Sequence, residues 1–320
     1  MMKTIWKSRI PLSFLTLAER IRQLGKLPLS GYSFAAAEFE PHKSPFFIIG
    51  CGRSGNTLLR SMLCAGGKVV IPPESYVIPR VIRRFSVYAY LPWDIVASIV
   101  VSEFESYKEF YTWGINLANA HQKARSLPVS RRNLANIIDI VYKEYELQLG
   151  KTNLRWGDKT PINTIYVDKI LKVFPTAQYI HIVRDPRDVV CSYVNAGLYK
   201  SHAEAAQFWN LCVDKSAWLS NKLEQNQFYQ LRYEDLVTRP ECVLKPLCKF
   251  LGVGYKDEML EYWKITNDLG DVDVHSHHKN VSRPISTESV GKWKNILDRV
   301  KQQEVERIIG DRIKHYGYEK

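Results

Sequence analysis

Short apolar runs alternate along the chain with longer segments in which apolar residues recur at helical spacing. The apolar runs predict strands at 46–49, 68–71, 178–183 and 228–232, and a further strand begins at Leu154. Helical patterns separate these runs. Because strands and helices alternate in this way, the chain predicts an α/β fold of three layers, with helices on both faces of a central, mostly parallel sheet.

Glycine and turn-forming residues bound the predicted helices. Gly150 ends a helix at 133–149, and Gly252 ends another at 240–251. Residues 91–149 as a whole are expected to form a helical insertion, and polar residues predict a long loop at 266–290. Further helices are predicted at 77–85, 162–174, 203–223 and 298–316.

The length of 320 residues suits one large domain, which we place at 45–320. Residues 1–44 are expected to form a helix and a loop that pack on this domain. Their longest apolar run, 11–18, is too short to cross a bilayer, so we predict no transmembrane segment. Basic residues flank that run, and peripheral contact with a membrane is the alternative to packing.

Composition narrows the class of ligand but does not identify it. The chain is 45% hydrophobic and 24% charged, which is ordinary for a globular protein, and its formal net charge is +12. Such an excess suits anionic ligands, although no recognised nucleic-acid motif accompanies it. The six cysteines form no CxxC pair and predict reduced, mostly buried thiols, which favours a cytoplasmic protein. We predict no metal site.

A glycine-rich turn at residues 50–57 joins the first strand to a helix. This geometry holds phosphate, because backbone N–H groups and the positive end of the helix dipole converge on one point. Gly50, Gly55 and Thr57 fit the frame G-x-x-x-x-G-K-[ST], but Asn56 replaces its lysine. Since nucleoside triphosphatases use that lysine on the β- and γ-phosphates, its loss argues against hydrolysis of ATP or GTP.

The run Gly52-Arg53-Ser54-Gly55-Asn56-Thr57 resembles the P-[RK]-S-G-T-T loop of sulfotransferases that use 3′-phosphoadenosine 5′-phosphosulfate (PAPS). It departs from that pattern at Gly52 and Asn56, and neither change removes a backbone donor. The resemblance implies a fold like that of P-loop proteins, with PAPS as co-substrate and no metal. It also implies that the loop holds the phosphosulfate end through Arg53, Ser54, Gly55, Asn56 and Thr57.

A second resemblance follows the strand at 178–183. The family has an arginine just past this strand and a serine eight residues later, which bind the 3′-phosphate; Arg184 and Ser192 match them. A guanidinium fork suits a phosphate. Tyr233, in the family-like run R-Y-E-D-L, either contacts the adenine or packs under the sheet edge. Arg283, in a late basic loop, is a further candidate for the 3′-phosphate, with Lys279 second.

Two polar residues at strand ends complete the predicted site. Glu74 directly follows the second strand, where ligands of doubly wound sheets lie. The run E-S-Y-V-I-P-R around it is similar to a stretch of tyrosylprotein sulfotransferases in which the glutamate is the general base, although Tyr76 replaces an arginine there. Lys159 lies in a G-D-K-T-P turn that this group also has. The resemblance implies that Lys159 and Arg53 neutralise charge on the transferred group.

The predicted reaction is the transfer of a sulfuryl group from PAPS to an acceptor hydroxyl, leaving 3′,5′-ADP. A carbohydrate, a lipid, a small metabolite or a tyrosine could carry this hydroxyl, and an oligomer is possible. One alternative is a kinase or NTPase with a degenerate phosphate loop, for which Asp158 or Asp185 would have to hold Mg²⁺. The other is a non-catalytic protein of the same fold that binds sulfated or phosphorylated ligands.

Overall fold

A five-stranded parallel sheet forms the centre of the protein. The computed structural model describes residues 31–36, 44–270 and 281–319. The strands are β1 (Phe46–Ile49), β2 (Val69–Val70), β3 (Arg155–Asp158), β4 (Gln178–Val183) and β5 (Phe228–Arg232). Their spatial order in the sheet is β2-β3-β1-β4-β5.

Twelve α-helices are present in the described part of the chain, joined by several short 3₁₀ turns. The helices are α1 (Asn56–Ala65), α2 (Ile78–Tyr88), α3 (Trp93–Glu105), α4 (Ala118–Arg125), α5 (Leu134–Gln148), α6 (Val167–Val173), α7 (Pro186–Asn195), α8 (His202–Ser220), α9 (Tyr233–Thr238), α10 (Pro240–Leu251), α11 (Arg299–Ile309) and α12 (Arg312–His315). Helices α3, α4 and α5 form the predicted helical insertion.

Both faces of the sheet are buried, and β1 shows why. Side chains of a strand alternate between its faces. Phe47 and Ile49 therefore join one hydrophobic cluster, with α2, α3 and α5. Phe46 and Ile48 join a second cluster on the other face, with α1 and α10. This arrangement confirms the predicted three-layer α/β fold.

All five strands end at the same edge of the sheet, because every strand pair is parallel. The residues that follow these ends are the glycine-rich turn after β1, the segment of Glu74 after β2, Lys159 after β3, Arg184 after β4 and Tyr233 after β5. The topology therefore brings the predicted site residues from five separate stretches of sequence to one edge.

Two predicted helices are interrupted in the structure. The segment predicted as one helix at 162–174 is a 3₁₀ turn, Pro161–Tyr166, followed by α6. In this turn the hydroxyl of Thr164 bonds to the backbone of Gly50. The terminal helix predicted at 298–316 divides into α11 and α12, because Gly310 leaves the helical region at φ 65° and ψ −142°.

The N-terminal prediction lies mostly outside the described residues. Within it, Ser33 pairs with Asn133 in an isolated bridge, and the carbonyl groups of Ser33 and Phe34 accept from the first backbone N–H groups of α5.

No helix in the described part of the chain combines the length and apolar character that crossing a membrane requires. None of the six cysteines forms a disulfide in the described part of the chain; five of them are buried and Cys242 is exposed.

Candidate active site

The glycine-rich turn is held in one conformation from both ends. Gly50 has φ 142°, and a Cβ there would lie 2.3 Å from the carbonyl oxygen of Ile182. Gly55 has φ 95°, and a Cβ there would lie 2.4 Å from the ring of Tyr233. Only glycine avoids both the strain and the collision at these positions. The hydroxyl of Thr164 bonds to both the N–H and the carbonyl of Gly50, each at 2.9 Å.

Asn56, which replaces the lysine of the phosphate-loop frame, stabilises the turn itself. Its side-chain N–H donates to the carbonyl of Cys51 at 3.0 Å, and the residue is buried. Two donors of this corner are buried without a protein partner in the described part of the chain, the hydroxyl of Ser54 and Nε of Arg184. Buried donors normally have a partner, so these two atoms indicate a place for an acceptor that the protein does not supply.

Arg53, Arg184 and Ser192 meet beside the turn. Nε of Arg53 donates to the hydroxyl of Ser192 at 3.0 Å, and Arg184 donates to the carbonyl of Arg53 at 2.9 Å. Burial lowers the pKa of the Arg53 guanidinium, and the nearby charge of Arg184 lowers it further. Two cations held this close favour an anion between or beside them.

Glu74 and Lys159 contact each other next to the same turn. Nζ of Lys159 donates to Oε1 of Glu74 at 2.5 Å and to the hydroxyl of Thr57 at 3.2 Å. The Lys159 side chain is fully buried, whereas the Glu74 side chain is 18% exposed. The residues predicted at the ends of β2 and β3 are therefore in contact. The partly exposed carboxylate of Glu74 binds the ammonium group of Lys159, which in turn binds Thr57 of the glycine-rich turn.

Asp158 holds the segments of Lys159 and Glu74 together, a role that no local sequence pattern indicates. Its carboxylate accepts from Tyr142, from Asn163 and from the backbone N–H of Thr160. The hydroxyl of Thr160 in turn accepts from the backbone N–H of Ser75 at 3.3 Å. Burial raises the pKa of Asp158, which is the last residue of β3. One buried acid therefore connects the turn of Lys159 to the segment of Glu74.

Tyr233 is enclosed by the phosphate loop. Its ring lies against Gly55, the guanidinium of Arg184 stacks over it at 4.6 Å, and the residue is 8% exposed. Tyr233 thus packs against the loop and Arg184, and its contact with adenine stays a prediction. A tyrosine at this place keeps both the loop and Arg184 in position.

The late segment reaches the site through Ser289 rather than Arg283. The carbonyl of Ser289 accepts from Arg184 at 2.5 Å. Asp188, in the first turn of α7, accepts from the backbone N–H groups of Gly291 and Trp293 at 2.7 and 2.9 Å. Arg283 is exposed, and its carbonyl accepts from Tyr262. Lys279 lies outside the described residues.

Comparison with known proteins gives the family. The sequence model of the Sulfotransferase family matches residues 45–257. A protein-tyrosine sulfotransferase of Drosophila melanogaster is 25% identical over 256 residues, which are 77% of this chain and 46% of that protein. The omega-hydroxy-beta-dihydromenaquinone-9 sulfotransferase Stf3 of Mycobacterium tuberculosis (strain CDC 1551 / Oshkosh) is 30% identical over 192 residues, which are 55% of this chain and 46% of that protein.

The chain thus spans about half the length of these two relatives. Among solved structures, the sulfotransferase domain of the Synechococcus PCC 7002 olefin synthase has the same fold, with a TM-score of 0.60 and 22% identity. That match covers 88% of this chain and 99% of the domain. The family match takes in the glycine-rich turn and the strand ends that carry Glu74, Lys159 and Arg184. This chain belongs to the sulfotransferase family.

Proposed function

We propose that the chain transfers a sulfuryl group from PAPS to an acceptor hydroxyl and leaves 3′,5′-ADP. The observation that carries this proposal is the contact series from Glu74 through Lys159 to Thr57. It joins a carboxylate that can take a proton, a cation that can meet negative charge and a loop that can hold phosphate. Sulfuryl transfer needs these three groups within a few ångströms of each other.

The donor nucleotide would be held by residues of two motifs. Ser54, Gly55, Asn56 and Thr57 form a turn suited to the phosphosulfate end, with the N-terminus of α1 behind them. Arg184 and Ser192 would hold the 3′-phosphate. Arg53 belongs to the glycine-rich turn and its Nε donates to Ser192, so it would lie between the phosphosulfate end and the 3′-phosphate. The unpartnered donors on Ser54 and Arg184 fit phosphate oxygens. Arg283 would contact the 3′-phosphate only if its exposed side chain turned towards the nucleotide.

Glu74 would act as general base on the acceptor hydroxyl. When it accepts the proton, the bond between the acceptor oxygen and sulfur forms, and the bond between sulfur and the phosphate oxygen breaks. Protonation also removes the charge that holds Lys159. The ammonium group can then donate to the negative charge that develops on the departing oxygen, and Arg53 can support it.

The two alternatives fit the geometry less well. A kinase would need Asp158 or Asp185 on Mg²⁺, but Asp158 binds Tyr142, Asn163 and Thr160, and Asp185 is paired with Arg187 at 2.8 Å. A non-catalytic binding protein would need the glycine-rich turn but would not need the partly exposed carboxylate of Glu74 beside it. The named relatives act on protein tyrosine and on a hydroxylated menaquinone, so both a phenol and a lipid alcohol belong among the acceptors to be tested.

A transfer assay tests this function. The full chain is incubated with ³⁵S-labelled PAPS and separate panels of phenols, sugars, lipid alcohols and tyrosine peptides. We expect label in one acceptor class, with 3′,5′-ADP formed in equal amount. Transfer of label from ATP labelled in its γ-phosphate, with none from PAPS, would support the kinase alternative. Tight binding of PAPS without transfer to any class would support the binding protein.

A further inference from the structure

Tyr76 binds the second carboxylate oxygen of Glu74, the proposed general base. Its hydroxyl donates to Oε2 of Glu74 at 2.8 Å, while Lys159 donates to Oε1. The carboxylate is therefore held at both oxygens, from the inside by a cation and from the solvent side by a phenol. Tyr76 is also the position at which this chain departs from its tyrosylprotein-sulfotransferase-like motif.

The backbone of Tyr76 has an unusual conformation that its neighbours maintain. Its φ is 53°, in the left-handed region that residues with a side chain rarely adopt. Such strain persists only where the surroundings determine it, and it is concentrated at functional sites. On one side the N–H of Ser75 donates to Thr160, and on the other the N–H of Val77 donates to the hydroxyl of Ser75.

The ring of Tyr76 is supported as well. It packs against the ring of Tyr107 at 6.0 Å, and the hydroxyl of Tyr107 donates to Glu109 at 3.0 Å. Burial raises the pKa of the Tyr76 phenol, and the charge of Glu74 raises it further. The phenol consequently remains protonated, and able to donate, throughout the neutral range.

We infer that Tyr76 is a positioning residue, which fixes the Glu74 carboxylate for removal of the acceptor's proton. This inference rests on the proposed function. The last torsion of a glutamate side chain is broadly distributed, so a base held at one oxygen alone would turn. Each carboxylate oxygen accepts about two hydrogen bonds, so Oε2 can hold the phenol and still meet an acceptor hydroxyl.

Several charged or titratable groups surround this carboxylate. Lys159 faces it from the turn after β3 and Arg53 from the phosphate loop. Tyr76 faces it from its own segment, and Tyr107 and Glu109 lie behind Tyr76 from the segment after α3. Removing the Tyr76 phenol changes no formal charge next to Glu74. The variant Tyr76→Phe therefore isolates the hydrogen bond.

The test compares Tyr76→Phe with wild type by two measurements on the full chain. A hydrogen bond to the charged form of a carboxyl favours that form, so its loss should place the titration midpoint of the Glu74 carboxyl carbon at higher pH in Tyr76→Phe than in wild type. Carbon-13 NMR of glutamate-labelled protein measures this midpoint, with Glu74→Gln to assign the signal. In transfer assays kcat should fall about tenfold, with the acid limb of the pH profile displaced likewise and KM for PAPS unchanged.

Tyr111→Phe serves as control, since Tyr111 is 67% exposed and lies on the same segment as Tyr107. It should match wild type in both measurements. An unchanged midpoint in Tyr76→Phe overturns the inference, and so does a displaced midpoint with kcat unaltered. Because the NMR titration needs neither donor nor acceptor, it remains interpretable if wild type fails to transfer sulfuryl groups, a result that would refute the proposed function itself.

Discussion

Glu74→Gln is expected to lower kcat for sulfuryl transfer by about 10²–10⁴ while leaving the affinity for 3′,5′-ADP within about twofold of wild type. Glutamine keeps the size of the side chain, and its carbonyl oxygen can still accept from Lys159. Its amide cannot take a proton from the acceptor. Initial rates with labelled PAPS and a calorimetric titration with 3′,5′-ADP, on the same preparation, measure both quantities.

Glu241→Gln provides the matched control. Glu241 lies on α10, is about half exposed and pairs with Lys245 on the same helix, so its loss of charge should not affect transfer. If Glu74→Gln retains kcat within about threefold of wild type, Glu74 is not the base. If it loses 3′,5′-ADP affinity as well, the residue holds the nucleotide site together rather than moving a proton.

Lys159→Met is expected to lower kcat by about 10²–10³, because the departing oxygen loses the cation that meets its charge. Methionine fills a similar volume, so the fully buried position should remain packed. Removing one partner of a buried ion pair leaves the other uncompensated, so Tm should fall as well. Glu74 is 18% exposed and also bonded to Tyr76, which limits this fall.

The double variant Lys159→Met with Glu74→Gln separates catalysis from stability. It removes both charges together, so Tm should recover part of the loss while transfer stays absent. Lys172→Met, at an exposed position on α6, is the control for loss of a lysine and should match wild type. If Lys159→Met transferred sulfuryl groups at the wild-type rate, Lys159 would have a structural role alone.

The strand ends account for what could be predicted from the sequence. Apolar runs are local signals of strands, and the ends of these runs place Glu74, Lys159 and Arg184 at the ends of strands. Once the strands are parallel, these ends meet at one edge. The contact of Arg53 with Ser192, between residues 139 apart in sequence, follows from this topology and from no local pattern.

The side-chain contacts that could not be predicted from the sequence join residues that are distant along the chain. Asp158, a candidate Mg²⁺ ligand only for the kinase alternative, accepts from four donors among the described residues, on α5 and in the turn after β3. Arg187 binds Glu306, 119 positions away along the chain, and Asp188 binds the backbone N–H of Trp293, 105 positions away. Such partners are brought together only by the fold, and the periodicity of apolar residues along the chain does not predict them.

Arg184 and Ser192 would hold the 3′-phosphate of the nucleotide, with Arg53 of the glycine-rich turn in contact with Ser192, and calorimetry tests this assignment most directly. Wild type and Ser192→Ala are titrated with 3′,5′-ADP, with 5′-AMP and with ATP–Mg²⁺. We expect 3′,5′-ADP to bind wild type about 10- to 100-fold more tightly than 5′-AMP, through charge-assisted hydrogen bonds, and Ser192→Ala to lose about tenfold for 3′,5′-ADP alone. Equal affinity for 3′,5′-ADP and 5′-AMP, or preference for ATP–Mg²⁺, would contradict this account.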